Sequence, residues 1–345
     1  MNASLNGLTP PRAIPGGEIG VICDQFRPGQ GIDYACIVDG NRCHILGASA
    51  SRVLAIVPDI DDSQKSKIWL VSNGKSTNKL DVAIGARLAS DMHMVANPAI
   101  DPNDNSIILT RSGPRGQQLP ATLFRLERNG TLGEIPVEIL NPTGLAFDEA
   151  GELFVTNRAD GELSRITGDV GSYLYASNLG VPTGIAIDER GLIYVGDRGG
   201  TIYRISKSGD FDKFAVLEPS VSAYHLAFGP DGRLYVSAPG LASFDSIYAV
   251  DPDGTVSRYF RGLGRPQGLA FDTKGNLYVA ACFKGSRGIV RISPGGSNAE
   301  LFVAGMNVVG LCFSRGGEMI VAASDAVYSL DIGIKGTLLS DDHPH

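Results

Sequence analysis

Residues 182–206 decide the fold, and they read PTGIAIDERGLIYVGDRGGTIYRIS. Three short apolar runs follow one another in this stretch, at residues 185–188, 192–196 and 201–205, with glycine-containing turns between them. Short β-prone runs separated by glycine turns at close spacing are typical of antiparallel strands. A fourth apolar run at residues 211–217 completes a predicted four-stranded sheet.

The pattern of this stretch recurs along the chain. Each copy has an inner apolar run, then a turn with glycine, then a second run that resembles Leu-Tyr-Val. The equivalent anchor positions are Ile100, Phe147, Ile187, Phe228, Phe271 and Phe313, which are separated by 47, 40, 41, 43 and 42 residues. Four strands repeated with a period of about 40 residues are the signature of a β-propeller, and six copies predict six blades.

A resemblance to the NHL repeat covers residues 87–330. It rests on Pro-x-Gly-(Ile/Leu)-Ala-(Ile/Phe)-Asp, then Gly-x-Leu-Tyr-Val, then a strand that ends in Arg-Ile. The wider group of six-bladed propellers includes the gluconolactonase (senescence-marker-like) enzymes, to which the chain is distantly similar. Such a repeat is specific for the fold but not for the activity, because one fold hosts many functions.

The N-terminal region, residues 8–84, lacks the propeller repeat. Its alternating runs and turn residues are typical of a small β-sandwich. Pro15-Gly16-Gly17 before a long strand, Val57-Pro58 at a strand end and Thr77-Asn78 near the last strand resemble an IPT/TIG immunoglobulin-like domain. The chain is therefore predicted to be all-β, with an immunoglobulin-like sandwich at residues 1–85.

The six-bladed propeller is predicted at residues 86–335, and a tail at residues 336–345. The segment at 88–92 resembles the one at 175–179, which is the outer strand of another blade. Residues 86–91 are therefore expected to supply the fourth strand of the last blade. Closure by a strand from the other end of the sequence removes exposed sheet edges.

Composition excludes some function classes. The formal net charge is −7 and Lys and Arg form no block, which argues against nucleic acid as a partner because phosphate binding needs clustered positive charge. No apolar run approaches about 18 residues, so no membrane span is predicted, and no signal peptide is visible. The compartment stays open: cytoplasmic if the chain is complete, extracytoplasmic if a leader was removed.

Five cysteines are present, without paired metal spacing. Cys36 and Cys43 can face each other across a predicted hairpin, so a disulfide is one interpretation. Two reduced thiols are the favoured one, because nothing in the sequence indicates export.

The first residues of the innermost strands are expected to line one mouth of the central channel. This ring comprises Ala96, Thr143, Thr183, Tyr224, Gln267 and Val309. The gluconolactonase relatives hold a divalent metal near these positions with Glu, Asn and Asp side chains. The ring carries no carboxylate, whereas a hard cation usually needs several oxygen ligands with carboxylates among them. No metal ligand, catalytic residue or cofactor is therefore carried over from that family.

Two further patterns near the ring have competing interpretations. Streptogramin-lyase-like propellers use His and Glu at a channel mouth, but no Glu matches His225 or His93 here, and a lone His is more often structural. The turns Asn157-Arg158 and Asp197-Arg198 follow the second strands of adjacent blades. Turn chemistry with a surface ion pair is the favoured interpretation, and a polar pocket for a sugar or a peptide carboxylate is the alternative.

The predicted binding site lies beside the fourth blade. Its residues are Thr143, Thr183, Tyr224, His225, Phe244 and Gln267. Tyr224 offers an apolar face with a hydroxyl, a composition typical of binding hot spots. Phe244 lies in a loop at residues 238–246 that is longer than its counterparts, and long loops often carry function. The alternative is an exposed insertion without a function.

These observations favour a non-catalytic binding or scaffold propeller. Its expected partner at one mouth of the channel is a small neutral ligand, a carbohydrate or a peptide, and no cofactor is expected. The alternative is a gluconolactonase-like hydrolase of sugar lactones or esters with a departed active site, which would use a divalent metal. The uncharged ring favours the first function.

Overall fold

The computed structural model describes residues 3–28, 34–60, 65–112, 119–167, 171–242 and 244–337. Apart from a 3-10 turn at Pro294–Gly296, this part of the chain forms strands, turns and loops, so the protein is all-β. No helix among these residues is long and apolar enough to cross a membrane.

The N-terminal unit consists of two sheets that share one core. In spatial order, the first sheet contains β1 (Ser4–Thr9), β3 (Glu18–Asp24), β7 (Arg52–Ile56) and β6 (His44–Ala48). The second contains β2 (Arg12–Ala13), β10 (Leu80–Ile84), β8 (Ser66–Ser72), β4 (Tyr34–Val38) and β5 (Asn41–Arg42), with β9 (Lys75–Ser76) paired to β8. Ile19 and Leu70, one from each sheet, are fully buried in the shared core.

Six four-stranded antiparallel sheets follow, one for each copy of the repeat, and they are numbered here as blades. Blade 1 contains β12 (Ala99–Ile100), β13 (Ile107–Thr110), β14 (Leu123–Leu126) and β15 (Leu132–Glu134), and blade 2 contains β16 (Pro142–Phe147), β17 (Leu153–Asn157), β18 (Glu162–Thr167) and β19 (Gly171–Ala176). Blade 3 contains β20 (Pro182–Ile187), β21 (Ile193–Asp197), β22 (Thr201–Ile205) and β23 (Phe211–Val216), and blade 4 contains β24 (His225–Phe228), β25 (Leu234–Ser237), β26 (Asp245–Val250) and β27 (Val256–Leu263). Blade 5 contains β28 (Leu269–Phe271), β29 (Leu277–Phe283), β30 (Ser286–Ile292) and β31 (Ala299–Ala304).

Blade 6 combines strands from both ends of the propeller sequence. Its inner strands are β32 (Val308–Phe313), β33 (Glu318–Ala323) and β34 (Ala326–Asp331), and its outermost strand is β11 (Ala86–Ser90). β11 runs antiparallel to β34. The innermost strands of consecutive blades are neighbours, and those of blades 6 and 1 are neighbours too, so the blades close into a ring.

In blades 3, 4 and 5, an Asp and a Tyr from the repeat connect strands within the blade and contact the next blade. In blade 5, Asp272 Oδ1 accepts hydrogen bonds from the backbone N–H groups of Lys274 and Asn276 at 2.9 and 2.8 Å, and Oδ2 accepts the Tyr278 hydroxyl at 3.1 Å. The Tyr278 ring packs edge-to-face on Phe313 of the next blade, with centroids 5.2 Å apart. Equivalent contacts join Tyr194 to Phe228 and Tyr235 to Phe271. Each contributes about 0.5–1.5 kcal/mol beyond its burial.

A packed interface joins the N-terminal unit to the outer edge of blade 5. Ala13 pairs in parallel with Ala304 of β31 on one side and Ile84 of β10 on the other. The second N-terminal sheet and blade 5 therefore form one continuous ten-stranded sheet. Ile14 is fully buried in the core between blades 5 and 6. A Cβ on Gly17 would lie 2.5 Å from the Ala304 carbonyl oxygen, so the Pro-Gly-Gly motif permits this close approach.

The cysteine pair and the C-terminal segment have defined places. Cys36 and Cys43 are buried free thiols, and the hydrogen bond that the Cys36 thiol donates to Cys43, together with burial, raises the pKa of Cys36. The predicted tail begins against blade 5, where the Thr337 N–H donates to the Phe271 carbonyl at 3.1 Å. The rest of that tail, residues 338–345, lies outside the described residues.

Candidate functional site

A central channel passes along the axis of the ring, and its two ends differ. The wide part encloses about 900 Å³ and extends to the turns that follow the innermost strands. Small side chains at equivalent positions in the innermost strands of blades 2 to 6 line its walls, namely Ala146, Ala186, Ala227, Ala270 and Cys312. The other end, where the innermost strands begin, is where the sequence predicted a binding mouth.

The innermost strands lie in direct contact at that other end. A Cβ on Gly184 would lie 2.5 Å from the Tyr224 carbonyl oxygen, and a Cβ on Gly310 would lie 2.7 Å from the Asn97 backbone nitrogen. The Asn97 side chain donates to the Leu269 carbonyl at 2.9 Å and accepts from the Leu311 N–H at 3.1 Å. Glycine permits this approach because it has no side chain to separate the strands.

Thr143 and Thr183 use their hydroxyls to join neighbouring blades. Thr143 Oγ1 donates to the Pro182 carbonyl at 3.1 Å, and Thr183 Oγ1 accepts from the Tyr224 N–H at 2.8 Å. Both residues are buried, whereas the sequence pattern predicted them at an open mouth. The difference arises because the strands approach each other closely here, so the hydroxyls are used between blades. A contact with a ligand stays a prediction.

Tyr224 is also buried rather than exposed. Its hydroxyl donates to the Glu218 carbonyl, and burial raises its pKa to about 12, so the phenol stays a neutral donor. This hydrogen bond from the Tyr224 side chain stabilises the loop of residues 218–221, which connects blades 3 and 4. Direct recognition of a ligand by this ring stays a prediction.

His225 occupies the repeat position that is glycine in blades 2, 3, 5 and 6. It is 3% exposed, and its Nε2 atom has no hydrogen-bond partner among the described residues. Burial lowers its pKa to about 4, so the imidazole is neutral at pH 7. The carbonyl of Gln267, in the adjacent blade, accepts the Ser237 hydroxyl at 2.5 Å. Gln267 itself is partly exposed.

A groove of about 500 Å³ lies between blades 3 and 4 at the face where the innermost strands begin. Its lining residues are Arg198, Glu218, Pro219, Ser220, Val221, Gly240 and Leu241. From the sequence, Arg198 was one candidate for a polar pocket and the loop at 238–246 was a candidate binding loop. Residues 218–221 were not predicted from the sequence, although the longer connection between β23 and β24 is a signal that could identify them.

Backbone hydrogen bonds fix the walls of this groove relative to one another. The Ser220 N–H donates to the Arg198 carbonyl at 3.0 Å, and the Val221 N–H donates to the Pro239 carbonyl at 2.9 Å. The Ser220 hydroxyl also donates to the Pro239 carbonyl at 2.9 Å. Three segments from two blades are thus held together before any ligand arrives.

The loop of blade 4 is fixed by a buried carboxylate and carries exposed apolar side chains. Asp245 accepts the Gly240 N–H at 2.9 Å and the Arg265 N–H at 3.2 Å. Leu241, which lines the groove, is 96% exposed, and Phe244 in the same loop is 62% exposed. Solvent-exposed apolar side chains beside a preformed groove are typical of a binding surface.

Within the described part of the chain, no group of three or more His, Cys, Asp or Glu side chains is placed to hold a metal ion.

The closed ring of four-stranded sheets places this chain in the β-propeller class. No protein-family model and no curated protein matches the sequence. A gluconolactonase-like protein of known structure is similar, with a TM-score of 0.58, 18% identity, and coverage of 73% of this chain and 93% of that one.

Two further solved structures are similar to the chain. An auxiliary nutrient binding protein from Bacteroides ovatus has a TM-score of 0.55 and 11% identity, covering 95% of this chain and 98% of that one. Virginiamycin B lyase from Staphylococcus aureus has a TM-score of 0.52 and 16% identity, covering 79% and 94%. At these identities the likeness shows the fold alone.

Proposed function

We propose that this protein is a non-catalytic ligand-binding propeller and that the groove between blades 3 and 4 is its binding site. The expected ligand is a small molecule, a carbohydrate or a peptide. The nutrient binding proteins among the similar structures support a binding role. The gluconolactonase-like structure is compatible with a hydrolase, so the similar structures support both functions. The binding function is therefore proposed from the groove.

The observation that carries the proposal is a pair of exposed apolar side chains close to Asp245, which accepts the Gly240 N–H. Leu241 and Phe244 are 96% and 62% exposed, although Asp245 anchors the loop that presents them. Burial of a large apolar side chain contributes about 1.5–3 kcal/mol. A ligand that covers both side chains would gain this free energy.

Screening of carbohydrates, neutral small molecules and peptides for a rise in Tm tests this proposal. The Leu241→Ser/Phe244→Ser variant should keep the Tm of the free protein and lose at least about tenfold in affinity for any hit. Leu174→Ser/Val216→Ser is the matched control, because these side chains are 62% and 68% exposed on outer strands. Equal affinity in both double variants would contradict the proposed location of the site.

The alternative function is a metal-dependent lactonase or esterase. Incubation with aldonolactones and Ca²⁺, Zn²⁺ or Mn²⁺ tests it directly. Turnover that requires the metal and disappears with a chelator would replace the binding proposal. Without turnover under these conditions, the non-catalytic function is retained.

The finer architecture is also a proposal. We assign residues 1–85 to an IPT/TIG-like immunoglobulin-like domain and residues 86–335 to an NHL-like propeller. The two-sheet N-terminal core and the six four-stranded sheets support this assignment.

A further inference from the structure

We propose that the groove between blades 3 and 4 binds a short zwitterionic peptide with an apolar side chain. Arg198 would bind its carboxylate, Glu218 its ammonium group, and Val221 and Leu241 would contact its side chain. This inference rests on the proposed function, because it names the ligand class of the same groove.

Arg198 presents a positive charge that the described residues do not neutralise. Its side chain is exposed, and its Nε–H donates to the Ser220 carbonyl at 3.4 Å, but it forms no ion pair with a described carboxylate. The adjacent Asp197 is committed to the turn, since its Oδ1 accepts the Val181 N–H at 2.7 Å. The remaining guanidinium N–H groups are therefore available, and their planar fork matches a carboxylate.

Glu218 presents the opposite charge on the same groove. Its backbone carbonyl is held by the Tyr224 hydroxyl, and its exposed carboxylate forms no ion pair with a described cation. Other acidic and basic neighbours in blade 3 do pair, for example Arg204 with Asp212 at 2.8 Å and Arg190 with Asp188 at 2.9 Å. Because Arg198 and Glu218 line the same groove and neither is in an ion pair with a described residue, a ligand that carries both charges would complement them.

The size of the groove favours a short peptide over a free amino acid. In a free amino acid the ammonium and carboxylate groups are attached to the same carbon atom, whereas Arg198 and Glu218 form no ion pair with each other. The charges of a two- or three-residue peptide lie further apart, and the groove of about 500 Å³ is within the usual range for small-molecule sites, roughly 300–1,000 Å³. Leu241 is nearly fully exposed, so an apolar side chain of such a peptide would pack against it and cover it.

Calorimetric titration with leucyl-leucine and two capped forms tests the charge assignment. N-acetylation removes the ammonium group, and C-terminal amidation removes the carboxylate. For the wild-type protein, each cap should weaken binding by about tenfold or more, the typical effect of losing a charged hydrogen bond. In Arg198→Gln the amide and the free acid should bind equally, and in Glu218→Gln the acetylated and free peptides should bind equally.

Arg258→Gln and Glu134→Gln serve as matched controls, because both residues are exposed on outer strands. They should keep the full effect of each cap. The inference is overturned if capping has the same effect in the groove variants as in the wild-type protein, or if leucyl-leucine fails to bind at millimolar concentration.

The two levels of the proposal fail separately. If leucyl-leucine does not bind but another hit loses affinity in Leu241→Ser/Phe244→Ser, the groove is a binding site and only the peptide inference is wrong. If every hit binds that double variant normally, the proposed function itself is wrong.

Discussion

His225 shows how one substitution in a repeat changes the chemistry of a position. The equivalent residues in four other blades are glycines, whereas the first residue of the innermost strand of blade 4 carries an imidazole. Its Nε2 has no partner among the described residues, so protonation would place an uncompensated charge in a buried position. Burial therefore lowers its pKa from 6.5 to about 4.

Because of this lowered pKa, the free energy of unfolding should depend on pH. Below pH 6.5 the unfolded chain binds a proton at His225 that the folded chain takes up only near pH 4, so stability is full above pH 6.5 and falls as the pH decreases to about 4. The loss across this window is roughly 3 kcal/mol. Urea unfolding of His225→Gln should lack this part of the acid sensitivity. Parallel curves for variant and wild type would show that His225 is not the source.

At the scale of the element, the innermost strands depend on glycine for their contact. Gly184 does not have a positive φ, so its backbone conformation is compatible with a side chain. The obstacle is the neighbouring strand, because a Cβ on Gly184 would lie 2.5 Å from the Tyr224 carbonyl oxygen. Gly184→Ala should therefore separate blades 3 and 4 and destabilise the protein by about 1–3 kcal/mol. Gly7→Ala is the control, because nothing lies within 4 Å of a Cβ there. A thermal unfolding series in which both variants behave alike would argue against strand contact.

At the scale of the whole molecule, the N-terminal unit and the propeller share a sheet and a buried residue. Ile14 connects them because it is fully buried between blades 5 and 6. Ile14→Ala should cost about 2–5 kcal/mol and weaken the coupling of the two units. Ile22→Ala is the control, since Ile22 is 39% exposed on β3.

Two probes can measure this coupling in one urea titration. Trp69, the single tryptophan of the sequence, reports on the N-terminal unit, whereas circular dichroism reports mainly on the larger propeller. The two transitions should coincide in the wild-type protein and separate in Ile14→Ala. Separate transitions already in the wild-type protein would mean that the interface contributes little to stability.

Features that repeat locally were predictable from the sequence. Glycine turns recur along the repeat, and blades 3, 4 and 5 each have a Tyr that donates to an Asp of the same blade, such as Tyr278 to Asp272. Periodicity therefore determined the all-β class and the four-stranded repeat. It also identified Phe244 as part of an unusual loop.

Contacts between blades were decided only by the tertiary structure. Tyr224 and Thr183 had the composition of a binding mouth, but the approach of neighbouring strands buries them, and no local pattern encodes that distance. The groove likewise combines Arg198, Glu218 and Leu241 from two blades and the connection between them. Their proximity depends on how blade 4 packs against blade 3, which single-strand patterns do not specify, because side chains far apart in sequence meet only after the ring has closed.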